Sequence, residues 1–333
     1  MASKNKSRLQ AWVVLVLLFF CLDIRPSVAQ STSVPTDPPV ISQANTSRIY
    51  INCGQPQVLP PHLPNAVGMI IRSVNATRCY NYDLLIANSN VSGLSTYHVN
   101  HWVAKQVERS YVQSLDNTSS NRPKTLENEL PSLFRLMAGD STVESLAAHY
   151  RFHYVGQQLI ANHLANVIDI LPNDSFRFAQ RLWVDAHTQL PLKRVTIDPY
   201  GRVINSSQVV AINSLMPYSG LLTLFSPSEG VSPHHWVTWL PHGFHMEGNT
   251  VVDIQGHEME SRFYSDGFSS LNIFLGPWFA SAALPEGTNI LGGASVVIRH
   301  FGKPGAGYQA AVTGEVPLPV LIRVADGLNV PEK

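Results

Sequence analysis

Apolar positions along this chain change period several times, and each change predicts an element. Residues 11–22 are apolar without interruption. A helical stripe follows, with Val67, Ile70, Ile71 and Val74 on one face and Asn65 placed as N-cap. Residues 82–86 form a short apolar strand, residues 96–107 alternate more loosely, and residues 114–125 are polar and turn-rich. Residues 130–137 read as a short helix that tolerates Pro131 in its first turn. The clearest alternation spans residues 176–185. Phe176, Phe178, Leu182 and Val184 point one way, with Gln180 as the exception, and Arg177, Ala179, Arg181, Trp183 and Asp185 point the other. Period two over this length predicts a half-buried antiparallel strand. A turn at 185–189 returns the chain as a second strand, residues 190–197, with Pro191 near its start, where a missing N–H is tolerated. Asp198-Pro199-Tyr200-Gly201 is a further turn leading into residues 202–212, and the three strands make a meander.

Pro217, Gly220, Pro227, Gly230 and Pro233 break the pattern, so residues 214–233 are expected to link two domains. The second opens at residues 236–240. Its strands are expected at 260–264 and 269–275, with a hairpin of 294–300 and 308–314 joined by the Gly-rich residues 301–307. It ends in a helix with Pro319 in the first turn, Val320, Leu321, Val324 and Leu328 on the apolar face, and Gly327 near the C-terminus. The expected layout is residues 63–213 and 234–330 around that linker, behind a Pro-, Ser- and Thr-rich leader over 30–62 read as disordered.

The apolar run at the N-terminus is preceded by Lys4, Lys6 and Arg8 and followed by Pro26 and Ser27-Val28-Ala29. It is too short for a bilayer core of about 30 Å, which favours a signal peptide over residues 1–29 rather than an uncleaved anchor. Acidic and basic residues balance at 23 each, and only 14% of the chain is charged. No basic stripe is available to displace counterions from phosphates, so nucleic acid is not an expected partner. Cys53 and Cys79 remain beyond the signal peptide. In an oxidising compartment they could pair, or stay as two thiols.

Motifs for chemistry are missing. There is no G-x-S-x-G elbow, P-loop or G-x-G-x-x-G, and His257-Glu258 fails as a zincin start because Ser261 stands where the second His must be. His234, His235, His242 and His245 are the one His-dense stretch. Without a nearby carboxylate or thiol they read as solvated turn residues rather than metal ligands, with protonation sensing near pH 6 as a middle reading. Ser265-Asp266-Gly267 reads as a turn, Asp accepting backbone N–H bonds and Gly taking positive φ, because one Asp is too few for Ca²⁺. Trp183, Trp236 and Trp239 could anchor an interface, Trp183 above all because it lies on the polar side of its strand; the alternative is a second, capped core. No enzyme and no cofactor are expected.

In order and spacing these segments resemble the RseB/MucB family. The likeness is carried by Glu129-Leu130-Pro131-Ser132-Leu133, His149-Tyr150-Arg151-Phe152, Arg181-Leu182-Trp183-Val184-Asp185, Thr188-Gln189-Leu190-Pro191-Leu192 and Asp198-Pro199-Tyr200-Gly201. It continues through Trp239-Leu240-Pro241-His242-Gly243-Phe244, Glu260-Ser261-Arg262-Phe263-Tyr264-Ser265-Asp266-Gly267 and Thr313-Gly314-Glu315-Val316-Pro317. It lapses over 107–127, where the family carries a further strand pair and this chain a polar segment. The resemblance implies an α+β, mostly antiparallel fold: an N-terminal unclosed β half-barrel of the lipoprotein-carrier type with a covering helix, plus a smaller C-terminal α+β domain. It further implies a periplasmic protein that binds the periplasmic domain of a membrane anti-sigma factor, shields it from proteolysis, and is released by lipid or lipopolysaccharide. The family-motif positions Trp183, Asp185, Leu190, Pro191, Trp239, Pro241, Gly243, Phe244, Arg262, Tyr264, Ser265, Asp266, Gly267, Gly314 and Glu315 are then candidates for partner contact. A periplasmic lipid or lipoprotein carrier is the rival expectation, and a homo-oligomer is left open.

Overall fold

The computed structural model describes residues 48–55, 59, 65–90, 93–116, 133, 143–225, 236–254, 257–279, 285–291 and 294–330. Outside them lie the apolar N-terminal run with its cleavage site, most of the leader, residues 117–132, the expected helix at 130–137 except Leu133, and His234 and His235.

In chain order, β1 (Arg48–Asn52) and α1 (Asn65–Cys79) precede the strands β2 (Tyr80–Asn90), β3 (Gly93–Ala104) and β4 (Val107–Ser114). Then α2 (Val143–His149) leads into β5 (Tyr150–Ile160), β6 (His163–Pro172), β7 (Ala179–Asp185), β8 (Pro191–Ile197) and β9 (Val203–Pro217). Eight of these strands form one antiparallel sheet in the order β4-β3-β2-β9-β8-β7-β6-β5. Its edges, β4 and β5, are not joined, so the sheet is an unclosed half-barrel. The helix expected from Val67 to Val74 covers it: α1 packs against β2, β5 and β7 at once, which requires the sheet to curve around it. Ala66, Ile70, Val74 and Ala76 of α1 share one core with Leu84, Ile86, Ile168, Ile170, Leu182 and Val184.

The meander of β7, β8 and β9 stands as expected, but it starts two strands earlier. β5 is exposed on both faces from His153 to Val155 and again from Gln157 to Leu159, because it is an edge strand. β6 is the converse, buried on both faces from Ala165 to Ile168. Neither condition yields alternation, so period two could not reveal them. Their hairpin turn, Ala161-Asn162, takes positive φ at both residues (48° and 64°), as does Lys105-Gln106 (50° and 65°) between β3 and β4. Turns of this kind normally announce themselves by glycine. The expectation of a polar segment in place of strands after residue 107 is therefore corrected for 107–114. The strand expected from Phe176 begins only at Ala179. Arg177, assigned to the solvent side, is buried.

The leader and the linker are corrected as well. β1 lies inside the stretch read as disordered, and pairs antiparallel with β10 (Leu221–Phe225), which lies inside the stretch read as a linker. A disulfide joins Cys53 to Cys79, fastening β1 to the end of α1. Around it the Cys53 amide donates to the Gly220 carbonyl (3.1 Å) and the Tyr218 amide to the Cys79 carbonyl (2.8 Å). The bond closes a loop with a sequence separation of 26 residues. On the chain-entropy estimate for such a loop, the Cys53→Ser, Cys79→Ser variant should lose about 3 kcal/mol, read as a lowered urea midpoint that reductant no longer shifts.

The second sheet contains β11 (His245–Ile254), β12 (His257–Ser265), β13 (Ser270–Trp278), β14 (Gly287–Leu291), β15 (Ala294–Phe301) and β16 (Gly307–Gly314), followed by α3 (Leu318–Asp326). The order is β11-β12-β13-β16-β15-β14. The expected helix α3 packs on β15 and β16, seating Val320, Leu321, Val324 and Ala325 against Leu271, Ile273, Val297 and Val312. It stops at Gly327, whose amide donates to the Arg323 carbonyl (3.1 Å). β11 was not foreseen, and a bulge between Met246 and Gly248 explains why its alternation is interrupted. Nor was β14. Residues 236–240, which open the second module, make a single bridge, Val237 to Leu328, and bond through their backbone to Gly327 and Asn329.

Candidate functional site

The β12–β13 turn shows how a local device becomes a joint. Asp266 Oδ1 accepts from the amides of Phe268 (2.9 Å) and Ser269 (2.7 Å), Ser265 Oγ accepts from the Gly267 amide (2.9 Å), and Gly267 takes φ 99°. That is the turn chemistry expected of Ser-Asp-Gly. It occupies one carboxylate oxygen and leaves Oδ2 directed at the other sheet. There Oδ2 accepts from the Tyr150 hydroxyl (2.8 Å) and from Arg177 Nε. The remaining guanidinium nitrogens of Arg177 donate to Asp174 and to the His242 carbonyl. Arg177 and Asp266 both have 0% of their side chain exposed, so this is a fully desolvated pair with every guanidinium nitrogen engaged.

Aromatic packing surrounds it. Phe268 leaves its own sheet and enters the half-barrel core, edge-on to Tyr150 at 5.3 Å and beside Phe152 at 6.0 Å. Its carbonyl accepts from Gln180 Nε2 (3.0 Å) and from Arg194, and Arg194 Nε donates to Gln180 Oε1 (3.0 Å). In exchange, Phe176 packs with the second core, edge-on to Trp239 at 5.5 Å. Asn205 Nδ2 donates to Glu315 Oε1 (2.8 Å), and the His149 and His242 rings meet at 3.2 Å between Nε2 and Nδ1. Burial pushes the Tyr150 phenol well above its ordinary value and Asp266 adds to this, so Tyr150 stays a neutral donor. Burial works against the Arg177 charge, yet Asp266, with Tyr150 and Asp174 adding to it, holds the guanidinium above its ordinary value.

The structure gathers several of the expected residues at this joint. Gly243 sits at φ 89° where an added Cβ would fall 2.6 Å from the His149 ring, and Phe244 lies 5.2 Å beneath the Arg177 guanidinium. Ser265, Asp266, Gly267 and Glu315 take part directly, as described. Trp239 meets Phe176 edge-on and lies 3.8 Å from the Arg323 guanidinium, and Pro241 is buried in the loop beside it. Arg262, 3.8 Å from the Trp236 ring, and Tyr264 lie inside the second module. Gly314 abuts β13, where a Cβ would meet the Ser270 carbonyl oxygen at 2.5 Å.

Trp183, Asp185, Leu190 and Pro191 are not part of the joint. Trp183 is 7% exposed, with Nε1 donating to Gln158 Oε1 (2.8 Å) and Lys193 Nζ at 5.1 Å from its ring. Asp185 closes the β7–β8 turn by accepting from the amides of His187 (2.8 Å) and Thr188 (2.7 Å), and Leu190 and Pro191 are buried there. Sequence reasoning missed Tyr150, Arg177, Arg194 and Phe268. One signal did exist: Gln180, the polar exception on an apolar face, binds the Phe268 carbonyl together with Arg194. Among the described residues no three His, Cys, Asp or Glu side chains come together as a metal site, and no helix is long and apolar enough to cross a membrane.

Residues 119–219 match the MucB/RseB N-terminal domain and residues 231–329 the MucB/RseB C-terminal domain. The chain belongs to the MucB/RseB family. The joint therefore spans both family domains, with Tyr150, Arg177 and Arg194 from the first and His242 and Asp266 from the second. The sigma-E factor regulatory protein RseB of Escherichia coli K12 is 25% identical over 240 residues, covering 62% of this chain and 75% of that protein. The sigma factor AlgU regulatory protein MucB of Pseudomonas aeruginosa is 27% identical over 192 residues, covering 54% and 60%. The fold agrees with a crystal structure of MucB at TM-score 0.62 and 22% identity, over 81% of this chain and 99% of that one. It also agrees with the Pseudomonas aeruginosa MucA/MucB complex at TM-score 0.59 and 22% identity, over 81% and 100%. MucB/RseB proteins are periplasmic regulators of sigma-factor stress signalling and not enzymes.

Proposed function

We propose that this chain binds the periplasmic domain of a membrane anti-sigma factor and so restrains an envelope-stress sigma factor. In this reading it shields the bound domain from proteolysis, and lipid or lipopolysaccharide favours the released state. The match of both family domains in order along one chain carries the proposal, and the known complex of the related MucB with MucA supports it. The layout proposed is a signal peptide over residues 1–29 and two modules, with β9 to Pro217 and the β1–β10 strand pair belonging to the first and residues 234–330 to the second. A simple lipid or lipoprotein carrier needs only a half-barrel. A second module fixed to it by a buried ion pair favours the two-module binding protein, with the joint setting the relative placement on which the partner surface depends.

Co-purification from envelope extracts tests this directly. The expected result is recovery of a membrane anti-sigma factor, with release on adding lipopolysaccharide, and raised envelope-stress transcription when the gene is deleted. Recovery of lipid with no membrane protein, together with unaltered transcription, would replace the proposal with the carrier.

A further inference from the structure

The joint contains one contact that the ion pair does not explain. His149, the last residue of α2, is half-buried, and His242 reaches it from the loop before β11. Their facing nitrogens are 3.2 Å apart and the ring centroids 5.0 Å. One imidazole donates and the other accepts, so the contact requires that at least one of them be neutral. The packing leaves little room for adjustment, because the His149 ring lies against Gly243, where even a methyl group would overlap it.

The charges around the pair come from every element at the joint. The bend after β6 supplies Asp174 and Arg177, the β12–β13 turn Asp266, and the start of β5 the neutral Tyr150. His245, at the start of β11, is turned away towards the Gly243 carbonyl and Glu247. With both rings neutral, one guanidinium faces two carboxylates. With both protonated, three cations face the same two carboxylates, and the ring–ring hydrogen bond has no acceptor left.

The geometry points to a proton-operated latch: the His149–His242 pair closes the joint between the two modules near neutral pH and loosens it in acid. The sign follows from linkage. Burial, then Arg177 and His242, lower the His149 pKa in the closed joint, so the closed form binds fewer protons than an opened one. Its stability is full above the ordinary histidine value of about 6.5 and declines as pH falls below it.

Hydrogen–deuterium exchange of the mature protein at about pH 7.5 and about pH 5, corrected for intrinsic rates, tests the latch. The amides to follow are those of Phe268 and Ser269, bonded to Asp266, and that of Phe244, bonded to the Pro241 carbonyl (3.1 Å). In acid their protection should fall by about tenfold in the wild type, while amides in the centres of β7 and β13 change less. His242→Gln, at an exposed position, should remove the acid-dependent part and leave the neutral-pH pattern within about twofold, and His149→Gln should do the same. Equal acid loosening in wild type and His242→Gln, or a wild type whose joint is unchanged across the range, overturns the latch.

Discussion

Asp266→Ala should cost about 4 kcal/mol of stability, one of the two largest effects expected of a single substitution here, although Asp266 lies in a turn. Two losses combine. The Oδ1 side of the carboxylate holds the amides of Phe268 and Ser269, and the Oδ2 side holds Tyr150 and Arg177. Alanine leaves a guanidinium at 0% exposure with only Asp174 as counter-charge, and breaking a buried pair from one side typically costs about 3–5 kcal/mol. Asp266→Asn retains the turn acceptor but not the charge, so it should fall short of alanine by about 1 kcal/mol, one net hydrogen bond. Urea unfolding followed by circular dichroism and tryptophan fluorescence reads both. Since the pair connects the two sheets, the wild type is expected to unfold in one transition that alanine separates into two. A loss below about 1 kcal/mol would mean that the pair is not desolvated in solution.

What was legible in the sequence follows from what each element touches. The β7–β8–β9 meander and α3 could be read because each has one buried side and recognisable ends. Asp198, for instance, accepts from the Tyr200 and Arg202 amides (2.9 Å each) and Gly201 takes φ 81°. β5 and β6 were hidden by being exposed or buried on both sides, and β1 by depending on a disulfide and a partner strand far along the chain. The joint was half legible. Asp266 could be assigned as a turn residue from its neighbours, but its free oxygen meets Arg177 across 89 residues, and Arg194 meets the Phe268 carbonyl across 74. Arg177 and Arg194 look solvated in the sequence, and only the tertiary fold buries them. The partner class was legible through the family resemblance, and no single residue spelled it out.

Trp183→Ala is the substitution that separates packing from partner contact. Strand register pairs Trp183 with Val167 and Lys193, on the opposite face from Leu182 and Val184. On that face Ala165 and Val167 are buried with it as part of the half-barrel core, and its indole N–H is spent on Gln158. Truncating a tryptophan in such a place removes a large buried area and should destabilise by about 3 kcal/mol. Affinity for the anti-sigma domain, measured by calorimetry on the folded fraction, should then move by less than about 0.5 kcal/mol. Trp183→Phe refines the test, because it keeps most of the apolar area and loses only the bond to Gln158, for about 1 kcal/mol. The opposite pattern, stable variants that bind about 2 kcal/mol more weakly, would make Trp183 an interface anchor despite its burial. That outcome would require the Gln158 and Lys193 cover to swing away when the partner docks.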